Sequence, residues 1–166
     1  QKKNITALTM DGIPRISRAQ RMDALSSMSA VTGYKSVIMA ANQLPKFIPM
    51  IGTAIGTIKP ANFLVIGIGV VGLQAIATAK RLGAVVKALD IRKNASVEAD
   101  SLGGKVIDFD IPQELAAGSG GYAKSLDESW LEKERMLISS HLADIDVIIL
   151  SALVPGEVAP ILITDK

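Results

Sequence analysis

Apolar positions recur along the chain with two periods, and the alternation between them outlines the elements. After Asp23, residues Leu25, Met28, Val31, Tyr34 and Ile38 fall every three or four positions, the spacing of one helix face. Asp23 suits the N-cap, and the helix is expected to run to about Asn42. Gly33 inside it marks a close packing contact, because a mid-helix glycine costs ~1 kcal/mol against alanine. Pro45 and Pro49 interrupt the pattern, and the glycine-rich segment that follows, to Pro60, reads as a short helix or loop. Residues 63–66 are wholly apolar, as in a strand buried on both faces. Residues 70–82 read as a helix closed by Gly83, and 84–89 as a second strand. Asn94 is expected to cap a short helix that ends at Gly103-Gly104, before a third strand at 105–107. Trp130, Leu131, Leu137, Ile138 and Leu142 mark one face of a further helix, and 146–150 form a fourth strand. Strands alternating with helices predict an α/β fold with a parallel sheet. Residues 1–22 show no periodicity.

Composition narrows the chemistry. At 49% apolar and 20% charged, the chain has ample material for a core and is no disordered segment. Eighteen Lys+Arg against sixteen Asp+Glu give a net charge of +2, with the signs interspersed. That is no footprint for nucleic acid or an anionic membrane surface. There is no cysteine, which excludes disulfides and thiolate chemistry. A lone histidine, His141, cannot build a histidine metal cluster, so no metal site is expected. The start, Gln1-Lys2-Lys3-Asn4, is not followed by the apolar run of a signal peptide. Residues 63–79 approach the length of a short membrane span. Their three glycines and Gln74, running into Lys80-Arg81, read instead as a buried strand, a glycine turn and a helix.

The chemistry concentrates in Gly67-Ile68-Gly69-Val70-Val71-Gly72, which follows a strand and opens a helix. Gly67 permits the tight turn, Gly69 lets backbone approach a pyrophosphate, and Gly72 lets helix pack on strand. The helix start offers N–H groups and a positive dipole end to phosphates. Asp90 lies 18 residues after Gly72, at the end of the second strand, where it can accept hydrogen bonds from ribose hydroxyls. Glycines in strand–turn–helix context plus an acid at that strand end point to a dinucleotide site on a Rossmann-type doubly wound sheet. The Asp90 carboxylate would repel a 2′-phosphate, favouring NAD(H) over NADP(H); Arg92 is the counter-argument, since it could pair with that phosphate. The segment after the fourth strand, with Ala152 and Leu153, should border the ligand beyond the strands' carboxyl ends. By composition alone, the glycine-rich loop 118–122 is a surface loop, the segment 14–23 a solvated approach to a helix cap, and the acidic–basic face of Glu128, Glu132, Lys133 and Arg135 simply solvated.

Several stretches resemble one family. Residues 67–85 (GIGVVGLQAIATAKRLGAV) and 14–37 (PRISRAQRMDALSSMSAVTGYKSV) look like the NAD(H)-binding component of proton-translocating NAD(P)+ transhydrogenase. DIR at 90–92, SLGGK at 101–105, GGYAK at 120–124 and ALVPGEVAPILIT at 152–164 extend the resemblance in order. The glycine motif is shared with alanine dehydrogenases; the arginine–glutamine–aspartate loop is the specific part. The resemblance implies that Arg15, Gln20 and Asp23 hold the nicotinamide end of NAD(H), with Ser26 near its carboxamide. It implies that Asp90, flanked by Ile91 and Arg92, meets the adenosine ribose, and that Tyr122 belongs to a mobile loop closing over the nucleotide. Val71 stands where relatives often carry alanine, and GTAIGT at 52–57 departs from the family pattern.

The resemblance also implies a division into a nicotinamide-contacting region (1–22), a connecting helix and linker (23–60) and an incomplete Rossmann domain (61–166). The whole component would be two-lobed, homodimeric and peripheral to a membrane, on a bacterial cytoplasmic or mitochondrial matrix face. This chain would then be a piece of it, with Thr164 opening a helix. The implied reaction is hydride transfer between NAD(H) here and NADP(H) on a partner component, coupled to proton translocation by a separate membrane component. Two rival readings are an alanine dehydrogenase-like enzyme, for which the chain shows no catalytic lysine or histidine, and a non-catalytic NAD-sensing module.

Overall fold

The computed structural model describes residues 4–14, 16–118, 122–154 and 156–164. After a 3-10 turn at Ser17–Met22, helix α1 spans Ala24–Gln43. Asp23 caps it as expected, its Oδ1 accepting the Ser26 N–H at 2.8 Å. A two-stranded antiparallel hairpin follows, β1 Ile51–Thr53 and β2 Gly56–Ile58, where the sequence suggests a short helix or loop. Three-residue strands are too short to show an alternation of their own.

The main sheet comprises β3 Asn62–Ile66, β4 Val85–Leu89, β5 Lys105–Val106 and β6 Val147–Leu150, all parallel, in the order β5-β4-β3-β6. Helices α2 Val70–Arg81, α3 Lys93–Ser101, the single turn α4 Gln113–Ala116 and α5 Glu128–His141 connect the strands. This is the α/β doubly wound parallel sheet expected. Asn94 does not cap α3: the helix starts at Lys93, whose N–H is met instead by Gln113 Oε1 at 3.2 Å.

Successive β3 residues point to opposite faces. Phe63 and Val65 enter a core with Val37 of α1, Ala75, Ile76 and Ala79 of α2 and Ala95 and Ala99 of α3. Leu64 and Ile66 enter a second core with Leu89, Ile107, Ile138 of α5 and Leu162. At no more than 1% exposed, the four are buried on both faces, which is why the strand reads as an unbroken apolar run.

Helix α1 lies on α2 with a different face from the one its periodicity marks. Leu25, Met28, Val31 and Tyr34 are exposed, whereas Gly33 and Val37 are buried and Ala40 and Ala41 pack on the core. A side chain at Gly33 would collide with the Val71 carbonyl oxygen and meet Gln74 Cβ at 3.0 Å. The close crossing anticipated from that glycine is present, and it selects small residues for the buried face. Among the described residues no helix is long and apolar enough to cross a membrane.

Candidate functional site

The strand order places the site. Helix α2 leaves β3 into one core, and α5 enters β6 from the other. The loops after β3 and β6 therefore diverge between two adjacent strands, which opens a crevice at their carboxyl ends. A cleft of about 530 Å³ lies there. Its walls include Gly67, Gly69, Val70 and Val71 after β3; Asp90, Ile91 and Arg92 after β4; and Ser151, Ala152 and Leu153 after β6. Three loops distant in sequence thus meet where the strand order requires.

The glycines of the turn have distinct reasons. Gly67 adopts φ +85°, and a Cβ there would stand 2.5 Å from the Ala152 amide nitrogen. The turn is tied on both sides: the Gly67 N–H donates to the Leu89 carbonyl at 2.9 Å, and Ser151 Oγ donates to the Gly67 carbonyl at 2.7 Å. Gly72 sits beneath, where a Cβ would collide with the Gly67 carbonyl oxygen. Gly69 differs. It caps α2 in an ordinary extended conformation, φ −93° and ψ −161°, with no atom within 4 Å of where a Cβ would lie. The fold needs no glycine there. A ligand pressed against the start of α2 would, since the first-turn N–H groups have no intrahelical partners and point outward.

Asp90 is buried, its side chain 5% exposed. One oxygen accepts the Ile68 N–H at 2.7 Å and Arg92 Nη2 at 2.7 Å; the other accepts the Arg92 N–H at 2.8 Å and Arg92 Nε at 2.9 Å. Arg92 also donates from Nη2 to the Ile68 carbonyl at 3.1 Å, binding the acid to the glycine turn. The hydrogen bond to Asp90, with its charge, holds Arg92 above the ordinary arginine range despite burial. As neighbours in sequence the acid and the arginine look like opponents; here they form one bidentate pair. A ribose hydroxyl reaching Asp90 has to share or displace the guanidinium.

Tyr122 lines the cleft on the strand-like return Ala117↔Ala123, where the Gly118 N–H donates to the Tyr122 carbonyl at 2.7 Å. Residues 119–121 of that loop lie outside the described residues, as do Arg15, Pro155 and the two that follow Thr164. Gln20 is exposed on the 3-10 turn. Asp23 and Ser26 share the start of α1, and that helix contributes Leu25 and Ser29 to the cleft wall.

One wall residue has no place among the sequence-derived candidates. Glu134 of α5 is 5% exposed and lines the cleft. Burial, and then the charge of Asp90, raise its carboxyl to about 7, against a lesser opposing effect from Arg135. A signal existed: Glu134 lies three residues after Leu131 and four before Ile138, on the helix's apolar face.

Residues 36–166 match the family model for the alanine dehydrogenase/PNT C-terminal domain. The chain is 43% identical over 164 residues to the NAD(P) transhydrogenase subunit alpha of Haemophilus influenzae, covering 99% of this chain and 32% of that protein. It is 41% identical over 167 aligned positions to the NAD(P) transhydrogenase subunit alpha of Cereibacter sphaeroides, again over 99% of this chain and 32% of the relative. In Rhodospirillum rubrum the similar protein is the first portion of a divided NAD(P) transhydrogenase subunit alpha, 49% identical over 99% of this chain and 43% of that protein. The chain thus spans less than half the length of these relatives. The solved transhydrogenase structure from Sinorhizobium meliloti superposes with a TM-score of 0.76 at 43% identity, over 95% of this chain and 41% of that one. An L-alanine dehydrogenase shares the fold, with a TM-score of 0.55 at 24% identity, over 84% of this chain and 34% of that one. The chain belongs to the alanine dehydrogenase/PNT C-terminal domain family and resembles, within it, the alpha subunits of NAD(P) transhydrogenase.

Proposed function

We propose that this chain binds NAD(H) in the cleft between β3 and β6 and forms the NAD(H) side of a transhydrogenase. NADP(H) would be held by a partner component, and proton translocation carried out by a separate membrane component to which this region is peripheral. The observation that carries the reading is Gly69: an exposed helix-capping glycine that the fold does not require, at the mouth of a cleft bounded by a buried acid. The residues fit the group. The start of α2 would hold the pyrophosphate, Asp90 and Arg92 the adenosine ribose, and Ala152 and Leu153 would border the cofactor, with Tyr122 closing over it. When bound, NAD(H) supplies the nicotinamide that gives or takes hydride. The chain's own residues bind, orient and shield the ring, and no side-chain nucleophile is needed. Arg15, Gln20, Asp23 and Ser26 would position the nicotinamide end. Their segment leads into α1, whose second turn already reaches the cleft wall through Ser29. A homodimer of the longer subunit and the division at residues 22 and 60 belong to the same proposal.

Calorimetric titration of the chain with NADH and, separately, NADPH tests the site. Tight NADH binding with weak NADPH binding is expected; equal or preferential NADPH binding would show that Arg92 turns from Asp90 to a 2′-phosphate. In the enzyme reconstituted with its partner components, Gln20→Ala should leave NADH affinity nearly unchanged and slow hydride transfer about 10²-fold, the order expected for a misplaced reactant. Unchanged transfer would remove Gln20 from the mechanism.

A further inference from the structure

Glu134 is an acid on the apolar face of α5, more than nine-tenths buried and in the cleft wall. No hydrogen bond reaches its carboxyl among the described residues. Every fully sealed side-chain polar atom among them does have a partner, so the Glu134 oxygens open onto the cleft. The charges around it offer no compensation. Asp90, from the end of β4, is negative and already paired with Arg92 at the start of α3. Glu98 of α3 is a second negative wall residue. Tyr122 is neutral, and Lys124 donates to the Glu114 carbonyl at 2.7 Å. Arg135, next to Glu134 on α5, is held by Glu128 and by the Ile161 carbonyl. An anion entering this cleft brings like charge toward a carboxylate with no counter-ion of its own.

We propose that Glu134 is a proton-accepting wall residue of the nucleotide cleft, neutral when a dinucleotide is bound, so that binding NAD(H) takes up a proton. The inference rests on the nucleotide reading of the cleft. Neutral Glu134 removes the repulsion toward the pyrophosphate and supplies an O–H donor that a carboxylate lacks. With a free-state midpoint near 7, the competent form is depleted as pH rises through neutrality.

The test is calorimetric titration with NADH at pH 6, 7 and 8 in buffers of different ionisation enthalpy, for the chain and for Glu134→Gln. The wild-type dissociation constant should rise about tenfold from pH 6 to pH 8, with net proton uptake at pH 7. Glu134→Gln, whose amide is permanently neutral, should bind with pH-independent affinity near the wild-type value at pH 6 and take up no proton. Binding that is flat with pH in the wild type and free of uptake would overturn the inference and leave the nucleotide reading intact. Uptake persisting in Glu134→Gln would overturn the assignment to this residue. Absence of NADH binding at every pH would overturn the nucleotide reading, and the inference with it. Carboxyl-carbon NMR of the free wild-type chain is a check that needs neither variant nor nucleotide: a Glu134 midpoint in the ordinary carboxylate range overturns the inference.

Discussion

The glycines of the turn after β3 look equivalent as spacing and are not equivalent as chemistry. Gly67 is required by the fold, through a positive φ and a backbone neighbour that cannot rotate aside. Gly67→Ala should lower stability by about 2–3 kcal/mol, read as a shifted urea midpoint at unchanged m-value. Gly69 is required only by whatever approaches the start of α2. Gly69→Ala should cost no more than about 1 kcal/mol, the scale of a helix-cap change, yet weaken NADH binding at least tenfold. Unimpaired binding by a stably folded Gly69→Ala would count against a phosphate at that helix start. The motif positions are legible from sequence because a strand–turn–helix with those glycines has few other uses. The pairing of Asp90 with Arg92 is not legible. Two residues apart on an extended segment share a side of the strand without their polar atoms having to meet, and only the bend after β4 turns the guanidinium back on the acid.

At the scale of elements, α1 shows how periodicity identifies a helix without identifying its partner. Its large apolar residues recur correctly, yet the surface that meets α2 is the one carrying Gly33, Val37, Ala40 and Ala41. Helices that approach closely bury small residues, because backbone contact leaves no room for large ones. Gly33→Ala therefore sets two effects against each other: about 1 kcal/mol gained in helix propensity and an overpacking cost of about 1–3 kcal/mol where the new methyl meets the Val71 carbonyl. Since the obstacle is backbone, a net loss of stability is expected, seen as a lower melting temperature. A raised one would mean that α1 slides on α2 without penalty. The shift would also move Val71, a cleft residue, so the variant's NADH affinity should fall as well.

For the molecule as a whole, the buried acid makes stability depend on pH in an unusual direction. Glu134 titrates near 4.5 when unfolded and near 7 when folded, so between those values the native state binds the extra proton. Stability is then highest below pH 4.5 as far as this group is concerned, declines as pH rises toward 7, and levels off above it. The full span is about 3 kcal/mol, from 1.36 kcal/mol for each unit of difference. Asp146 acts oppositely. Burial pushes its carboxyl up, but the Asn62 N–H and Lys46 outweigh that and hold it low; its contribution is lost as pH falls. Urea unfolding of the wild type from pH 5 to 8 should show a decline that Glu134→Gln flattens. Identical slopes in the two proteins would place the titrating group elsewhere.

Local and periodic signals in the chain suffice for the central strand as an unbroken apolar run, the glycine turn with the acid at the next strand's end, the helices, and hence the parallel α/β fold. Each depends on residues near one another along the chain, or on a period that one element imposes. Other outcomes arise only on assembly: which face of α1 is buried, the pairing of residues 51–58 as a hairpin, the arrival of Asp90 at the crevice already bound to Arg92, and the place of Glu134 in the cleft wall. Those depend on which segments the strand order brings together, and a residue's burial and charge environment exist only once that order is formed.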